Sequence, residues 1–341
     1  MKKKVFMGID GGGTYIRVAI ATAEGNILSH VKWQGGAFGR RNPNAKDNMY
    51  HAIMSAVGQA KCDLEDVCAI GAGIAGYDSE EDAKWVSELT NIPGLACPKK
   101  HVNDAVVAHV GVWFGKPGIL AISGSGSSVY GITEKGKHIR NYDFNFKPKS
   151  GAKNITYSLI ESVLVGKVDD TDDEIVQELL NHFNEKSILD LAHLGQINFE
   201  KTENEKIELY GSFAPKITDA AMCNSNLAKI VCDQAAMKIS TGIKMIGDCF
   251  EEDTVKFALT GSVANSTYIK QKIVQSLSND RDKFYILSEP ACLHSKKVHH
   301  YNSYQHKFLI ANPNVSINQT HRPLHSDFHL HNNLWHLYTT H

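Results

Sequence analysis

Ile9-Asp10-Gly11-Gly12-Gly13-Thr14-Tyr15-Ile16-Arg17-Val18 joins two apolar runs through a turn of three glycines and a hydroxyl residue. The segment 118–131, with the sequence GILAISGSGSSVYG, repeats this plan later in the chain. Each segment predicts two strands flanking a glycine turn, whose backbone N–H groups can form an anion-binding nest. Two such turns in a duplicated frame predict that the protein binds a polyphosphate, with one turn from each half.

Glycine is expected in these turns for two physical reasons. It adopts positive φ without strain, and it lets a ligand approach the backbone closely. For either turn alone, a glycine-rich hairpin without a ligand is the simpler alternative. The repetition of the plan is what favours phosphate binding.

The composition limits the class of protein and its partners. The chain has 341 residues, of which 42% are hydrophobic, so it can bury substantial cores and is expected to form two domains. Its net charge of −1 gives no attraction to nucleic acid or to an anionic membrane surface. No apolar stretch approaches the roughly 20 residues of a membrane span, and the run after Lys2-Lys3-Lys4 is too short for a signal peptide. A soluble cytoplasmic protein is therefore expected.

The seven cysteines are scattered along the chain without a CxxC pair. This pattern predicts neither a disulfide framework nor a zinc site.

Strands alternate with helices along the chain. Strands are predicted at 5–9, 14–21, 27–33, 67–75 and 255–260. Helices are predicted at 44–59, 105–112, 156–165, 172–183, 206–221, 227–250 and 266–277. The alternation predicts an α/β fold in two similar halves, with the boundary at Lys116-Pro117-Gly118, where the plan restarts. Such folds bind ligands at the carboxyl ends of strands, where both glycine turns lie.

Four short motifs occur in a fixed order, at 10–14, 102–105, 123–127 and 259–263. In sequence they are DGGGT, VNDA, SGSGS and LTGSV. Together they resemble the sugar kinase/actin/chaperone ATPase superfamily and, within it, the BadF/BadG/BcrA/BcrD ATPase family, which contains the N-acetylglucosamine kinases. The resemblance implies duplicated ribonuclease H-like (actin-like ATPase) domains at 1–117 and 118–290, with an interdomain nucleotide cleft.

The resemblance also implies ATP and Mg²⁺ as cofactors and a role for each motif. The phosphates of ATP would contact the residues of the two glycine turns, which are Gly11, Gly12, Gly13, Thr14, Gly124, Ser125, Gly126 and Ser127. Gly261 and Ser262 would leave room for the adenine or the ribose. Asp10 would hold Mg²⁺ through water, and Asp104 would act as general base on the acceptor hydroxyl. The sugar would contact Asn42, Asp104 and Ser125.

Several of these residues also have a simpler structural interpretation. Asp10 would cap a turn, Asp104 would be the N-cap of a helix, and Asn42 would open the turn dipeptide Asn42-Pro43. The motif order favours the functional interpretation of the two aspartates and leaves both open for Asn42. His101 and His109 are expected to be packed or solvated rather than ligands.

Two regions depart from the family pattern. The Gly-Gly-Trp-Gly and Gly-Asp-Glu-Gly-Ser stretches of the N-acetylglucosamine kinases are replaced by residues 141–152, where Asp143 or Asn145 are candidates for their role. A Gly-Ala-Ala-rich helix normally follows the Pro290 region, whereas residues 293–341 hold ten of the 17 histidines. A frameshifted or otherwise aberrant, poorly packed tail at 291–341 accounts for both features, and a metal-binding tail is the alternative.

The predicted function is an ATP-dependent carbohydrate kinase that phosphorylates a hydroxyl of N-acetylglucosamine or a related amino sugar. One alternative is an ATPase activator of a 2-hydroxyacyl-CoA dehydratase or benzoyl-CoA reductase, which fits poorly because no cysteine lies between Cys97 and Cys223. The other is a nucleotide or sugar sensor without turnover. The expected partners are a small-molecule sugar and a second copy in a homodimer, with no nucleic acid and no membrane.

Overall fold

The computed structural model describes residues 4–40, 42–280 and 282–288, without the side chains of 196–198 and 204. The described chain divides into two compact units. Unit 1 contains residues 4–116 and 135–137, and unit 2 contains residues 117–134 and 138–288. The predicted aberrant tail at 291–341 lies outside the described residues.

Unit 1 is built on a five-stranded mixed sheet in the order β3-β2-β1-β4-β5. The strands are β1 (Val5–Gly11), β2 (Tyr15–Thr22), β3 (Ile27–Gln34), β4 (Val67–Ile74) and β5 (Lys99–Asn103). The first three pair antiparallel, whereas β4 pairs parallel with both β1 and β5. The carboxyl ends of β1, β4 and β5 therefore meet at one edge of the sheet.

The two helices predicted for this part of the chain are present in unit 1, together with a third. They are α1 (Ala45–Ala60), α2 (Ala83–Leu89) and α3 (Asp104–Trp113). Met49, Ile53 and Ala56 form one fully buried stripe of α1 that belongs to the same core as β1 and β2. Burying each of the larger side chains contributes about 1.5–3 kcal/mol relative to leaving it exposed.

Unit 2 repeats the strand order of unit 1. Its sheet has the order β10-β9-β6-β7-β8. The strands are β6 (Gly118–Ser123), β7 (Ser127–Ile132), β8 (His138–Arg140), β9 (Thr254–Thr260) and β10 (Phe284–Leu287). Like β1, β6 pairs antiparallel with the next strand in sequence and parallel with a later one. The predicted α/β class is confirmed, with two mixed sheets of the same order.

The helices of unit 2 pack around the longest of them. They are α4 (Ala152–Leu164), α5 (Asp173–Phe183), α6 (Leu194–Glu200), α7 (Glu203–Gly211), α8 (Ala214–Met222), α9 (Asn226–Gly247) and α10 (Thr267–Ser278). Ile239 and Ile243 of α9 share one buried cluster with Leu159 of α4 and Ile269 of α10. In the described part of the chain, no helix combines the length and apolarity needed to cross a membrane.

The single helix predicted at 206–221 is wrong, because α7 and α8 are separate helices. Pro215 lies in the first turn of α8, where a missing N–H removes no helical hydrogen bond. The break before it turns Phe213 into the core, where this side chain is 2% exposed. The sequence also does not predict β8 and β10, which are edge strands of three and four residues.

Candidate active site

The first turn (residues 11–14) connects β1 to β2 and is held by the loop that follows β3. Gly12 donates its N–H to the Tyr15 carbonyl and accepts the N–H of Ala37, each at 3.0 Å. Within the described chain, the N–H groups of Gly13 and Thr14 donate to no protein acceptor. Two successive N–H groups are therefore available to an anion at this turn.

Close packing, rather than backbone conformation, requires glycine at the first turn. A Cβ on Gly11 would lie 2.8 Å from Cδ1 of Ile74, and a Cβ on Gly36 would overlap the Gly13 carbonyl oxygen. None of the glycines in the 11–13 and 124–126 stretches has a φ in the left-handed region, so the expectation that these turns need positive φ is wrong. Gly36 belongs to no motif, and only the fold shows that the first turn rests on it.

Asp10 is the penultimate residue of β1 and lies directly opposite Arg17 of β2. Its carboxylate is 1% exposed, and Oδ2 accepts a hydrogen bond from Nη1 of Arg17 at 2.9 Å. A buried carboxylate is costly unless it is paired, so the guanidinium stabilises its charge. The sequence does not predict this cross-strand ion pair.

Asp10 also fits the expected contact with magnesium. Among the described residues, no group of three or more His, Cys, Asp or Glu side chains is placed to hold a metal ion. Mg²⁺ keeps several waters and is usually bound by one or two carboxylates together with substrate phosphates. A single carboxylate beside a phosphate-binding turn suits an ion that is held mainly by the nucleotide.

Asp104 is the first residue of α3, and the N-cap of this helix is Asn103. The Asn103 Oδ1 accepts the N–H of Ala105 at 2.9 Å, so the interpretation of Asp104 as an N-cap is wrong. The Asn103 amide Nδ2 donates to the Tyr77 carbonyl at 3.3 Å and to Oδ1 of Asp78 at 3.1 Å. Asp104 thus lies half-buried at a helix N-terminus, which favours its negative charge.

The strand register brings Asp10, the first turn and Asp104 to the same edge of unit 1. Gly11 lies opposite Ile74, and Ile74 lies opposite Asn103. Two strand spacings, about 10 Å, therefore separate the start of the first turn from the residue before Asp104.

Asn42 uses its side chain to close its own loop. Its Nδ2 donates to the Gly36 carbonyl at 2.9 Å, and its Oδ1 accepts the N–H of Asn44 at 3.0 Å. An amide offers two hydrogens and two lone pairs, so each end keeps capacity for a second partner. The loop role is the one that the structure shows.

The second turn (residues 124–127) connects β6 to β7 in unit 2. The Ser123 carbonyl accepts the N–H groups of Val263 and Ala264, both at 3.0 Å. Gly261 has φ +94°, and a Cβ there would overlap the same carbonyl oxygen. The motif at 123–127 and the motif at 259–263 therefore form one continuous backbone surface.

Residues 150–152 support the second turn from its other side. Ser123 Oγ donates to the Ser150 carbonyl at 2.8 Å, and the Ala152 N–H donates to the Gly124 carbonyl at 2.7 Å. A Cβ on Gly151 would lie 2.8 Å from the Ser125 carbonyl oxygen. The segment that departs from the family pattern thus ends directly against the second turn, a contact that no sequence motif predicts.

The two candidate replacements in the departing segment have local roles. Asp143 accepts the N–H of Arg140 at 2.8 Å and closes a short 3-10 turn. Asn145 ends that turn with φ 52°, and its N–H donates to the Tyr142 carbonyl at 2.9 Å. A sugar-binding role for either residue stays a prediction.

The sequence profile of the BadF/BadG/BcrA/BcrD ATPase family matches residues 7–295, which include all four motifs. The chain belongs to the BadF/BadG/BcrA/BcrD ATPase family. This membership confirms the resemblance that the ordered motifs indicate.

Two curated proteins are similar to this member of the BadF/BadG/BcrA/BcrD ATPase family over most of their length. The N-acetylmuramic acid/N-acetylglucosamine kinase of Clostridium acetobutylicum is 24% identical, over 84% of this chain and 94% of the relative. The glucosamine kinase GspK of Vibrio cholerae is 24% identical, over 76% of this chain and 85% of the relative.

Two solved structures share the fold of this family member. A Chromobacterium violaceum protein assigned as an N-acetylglucosamine kinase has a TM-score of 0.64 at 19% identity, covering 80% of this chain and 92% of that one. A ROK family glucokinase from Streptomyces griseus, in complex with glucose and AMPPNP, has a TM-score of 0.51 at 16% identity, covering 83% and 92%. The similarity extends across both units and supports the two-sheet α/β architecture.

Proposed function

We propose that the protein is an ATP-dependent kinase that transfers the γ-phosphate to a hydroxyl of an amino sugar. The observation that carries this proposal is the placement of Asp104. Asn103 is the N-cap of α3, and Asp104, the first residue of that helix, follows the strand next to β4 on the edge that holds the first turn. Family membership and the names of both curated relatives support the same activity.

Phosphoryl transfer needs positioning and charge stabilisation more than covalent chemistry from the protein. In the proposed mechanism, the turns at 11–14 and 124–127 contact the ATP phosphates, the first of them through the N–H groups of Gly13 and Thr14. Gly261 and Ser262 adjoin the adenosine. Asp104 accepts the proton of the sugar hydroxyl as that oxygen attacks phosphorus, and Asn42 and Ser125 orient the sugar.

Mg²⁺, bound to the phosphates, would neutralise the charge that develops during transfer. Asp10 is the residue proposed to hold it, through water, with Arg17 fixing the carboxylate. Replacing Asp10 by Asn is expected to raise the Mg²⁺ concentration needed for half-maximal activity. An unchanged Mg²⁺ requirement would remove Asp10 from this role.

The acceptor is proposed to be N-acetylglucosamine, glucosamine or a close derivative. The curated relatives are named for these sugars and for N-acetylmuramic acid. The ribonuclease H-like duplication, the domain limits 1–117 and 118–290 and the interdomain nucleotide cleft belong to this proposal. The shared strand order of the two sheets supports the duplication.

The direct test is a panel of sugars assayed for ADP release by the purified protein with ATP and Mg²⁺. The expected result is release that depends on one amino sugar, with the phosphorylated sugar identified by mass spectrometry. An Asp104→Asn variant serves as the matched blank. ATP binding without sugar-dependent release from any member of the panel would reject the kinase and favour a sensor.

A further inference from the structure

Asp82 lies outside the four ordered motifs, yet its buried carboxylate accepts four hydrogen bonds and forms one ion pair. The residue is 1% exposed. Its Oδ2 accepts the N–H groups of Asp78 (3.1 Å) and Ser79 (2.9 Å) and the Ser79 hydroxyl (3.0 Å). Its Oδ1 accepts Nε1–H of Trp85 at 2.9 Å and pairs with the Arg40 guanidinium at 2.6 Å. Donors arranged in this way fix two segments around one charge.

The charge on Asp82 is maintained by these bonds. Burial would raise the pKa of the carboxyl, but hydrogen bonds from Trp85, Asp78 and Ser79 outweigh burial and leave the pKa below its ordinary value. The carboxylate is therefore ionised at neutral pH, and removal of its charge would weaken these charge-assisted hydrogen bonds.

One side of Asp82 holds the loop at 35–42, which carries Asn42. Besides the Arg40 ion pair, the Phe38 ring lies 6.1 Å from the Trp85 ring between centroids. A Cβ on Gly39 would lie 2.8 Å from Cε3 of Trp85. The start of this loop also contacts the first turn through Gly36, so its position affects both the proposed sugar contact and the phosphate turn.

The other side of Asp82 holds the turn at 76–82, which supports Asp104. The carboxylate fixes the N–H groups of Asp78 and Ser79 in this turn. The same turn presents the Tyr77 carbonyl and Oδ1 of Asp78 to the side-chain amide of Asn103. Asn103 in turn caps the helix that Asp104 begins.

We propose that Asp82 is a positioning residue that holds the Asn42 loop and the Asn103-Asp104 helix start in register for phosphoryl transfer. The inference rests on the proposed function for its kinetic consequence. The junction, by which we mean the contacts of Asp82 with the loop that carries Asn42 and with the turn at 76–82, rests only on observations within unit 1. A displacement of 1 Å at reacting groups can cost about 10²-fold in rate. A charge that fixes both segments is therefore expected to have a large effect on turnover.

The kinetic test compares Asp82→Asn with Arg40→Met in the full-length chain. Asp82→Asn loosens both segments, so sugar KM is expected to rise and kcat to fall, with a combined loss in kcat/KM of about 10²-fold. Arg40→Met loosens only the Asn42 loop and is expected to raise sugar KM with little change in kcat. Because the two residues share one ion pair, Arg40→Met should add little in the Asp82→Asn background.

Lys216→Met is the matched control, because it also removes an ion pair, with Glu178 at 2.7 Å, but on an exposed surface of unit 2. It is expected to leave both kinetic constants unchanged. Normal kinetics in Asp82→Asn, or an equal loss in Lys216→Met, would overturn the proposal.

Amide hydrogen exchange on the protein without ligands separates this inference from the proposed function. Asp82→Asn is expected to raise exchange in 36–42 and 76–82, by about tenfold, while the central strands keep their protection. Arg40→Met is expected to raise amide exchange only in 36–42. This result alone tests the junction if Asp82→Asn does not fold. Uniform loosening of unit 1, or unchanged exchange in both segments, would overturn the junction. An inactive wild-type protein would reject the kinase and leave the exchange result to decide the junction.

Discussion

The two glycine turns connect equivalent strands of equally ordered sheets, but their surroundings differ. The first turn lies beside charged side chains, with Asp10 and Arg17 paired on the hairpin and Asp104 two strands away. The second turn is surrounded by backbone groups and serine hydroxyls, with the Ser123 carbonyl accepting two N–H groups. Two sheets of the same order thus share the turn and differ in what surrounds it. In the proposed kinase, unit 1 would supply the charged groups for chemistry, whereas unit 2 would supply a neutral surface for the nucleotide.

Asp104 is the residue whose removal tests the difference between the two turns most strongly. Asp104→Asn keeps the shape of the side chain and removes the proton acceptor, so turnover is expected to fall about 10²–10⁴-fold. ATP affinity, measured by calorimetry, is expected to stay within a factor of about three, because the phosphate turns are unchanged. An Asp190→Asn variant is a suitable control, because that carboxylate accepts the Ser187 hydroxyl in a local turn of unit 2. Turnover at the parental rate in Asp104→Asn would show that the Asp104 carboxylate has a structural role and not a catalytic one.

The Asp10–Arg17 pair offers a second test. Arg17→Met leaves the Asp10 carboxylate buried without this partner, and breaking a buried pair in this way typically costs about 3–5 kcal/mol. We expect a loss of unfolding free energy of about that size in urea titrations, confined to unit 1. Lys272→Met, which removes a half-exposed pair with Asp233 in unit 2, should change stability by less than about 1 kcal/mol. Equal losses in the two variants would show that the Asp10–Arg17 pair stabilises the fold no more than a half-exposed ion pair does.

Close packing behind the turns can be tested by two alanine substitutions. A Cβ on Gly36 would overlap the Gly13 carbonyl, and a Cβ on Gly261 would overlap the Ser123 carbonyl. Gly36→Ala and Gly261→Ala are each expected to destabilise their unit by about 1–3 kcal/mol and to weaken ATP binding.

Each of these substitutions has a control with open space around it. Gly13 has no heavy atom within 4 Å of a built Cβ, and Gly166 has open space at φ +72°, so it isolates the cost of left-handed backbone. Gly13→Ala and Gly166→Ala should therefore destabilise less than Gly36→Ala and Gly261→Ala respectively. If the paired variants unfold at the same denaturant concentration, close packing is not what requires these glycines.

The smallest expected effect concerns His101, on the same strand as Asn103. Burial, together with the charges of Lys99 and Lys100, lowers the pKa of His101 to about 4, and its Nε2 lies 2.8 Å from the Thr90 hydroxyl. The unfolded chain binds a proton near pH 6.5 and the folded chain does not, so stability falls as pH drops from about 6.5 towards 4. Between pH 7 and pH 5 the loss is about 2 kcal/mol.

His101→Gln keeps a polar partner for Thr90 and does not titrate. Between pH 7 and pH 5, the unfolding free energy of this variant should therefore fall by about 2 kcal/mol less than that of the parent protein. Identical slopes for the two proteins would mean that His101 is not the group responsible.

Much of the fold follows from sequence patterns, because strand and helix periodicity is local. The hairpin of β1 and β2, the amphipathic stripe of α1 and the long helix α9 all occur where apolar spacing predicts them. The split between α7 and α8 does not, since it depends on where Phe213 finds the core. Edge strands such as β10 carry too few residues for a pattern.

The candidate site divides in the same way. Asp10 and Asp104 follow from motif order, but the partners that fix them do not. Arg17 contacts Asp10, Asn103 contacts Asp78 and Asp82 contacts Arg40 only because the fold brings separate segments together. The positive φ expected at the turns is also absent, because a turn too narrow for a side chain need not be left-handed.

The pairing of β6 with β9 has a consequence for how this family member can vary. Ile122 and Thr260 are neighbours in the sheet, although more than a hundred residues of chain separate them. Everything between β8 and β9 therefore leaves the sheet at one edge and returns beside β6, and α9 within it belongs to the same buried cluster as β6. Helices there can lengthen, shorten or exchange sequence during evolution while the turn geometry is retained, provided that residues 150–152 keep their contact. In the proposed kinase, acceptor preference would thus diverge in this part of the chain while the nucleotide is held in the same way.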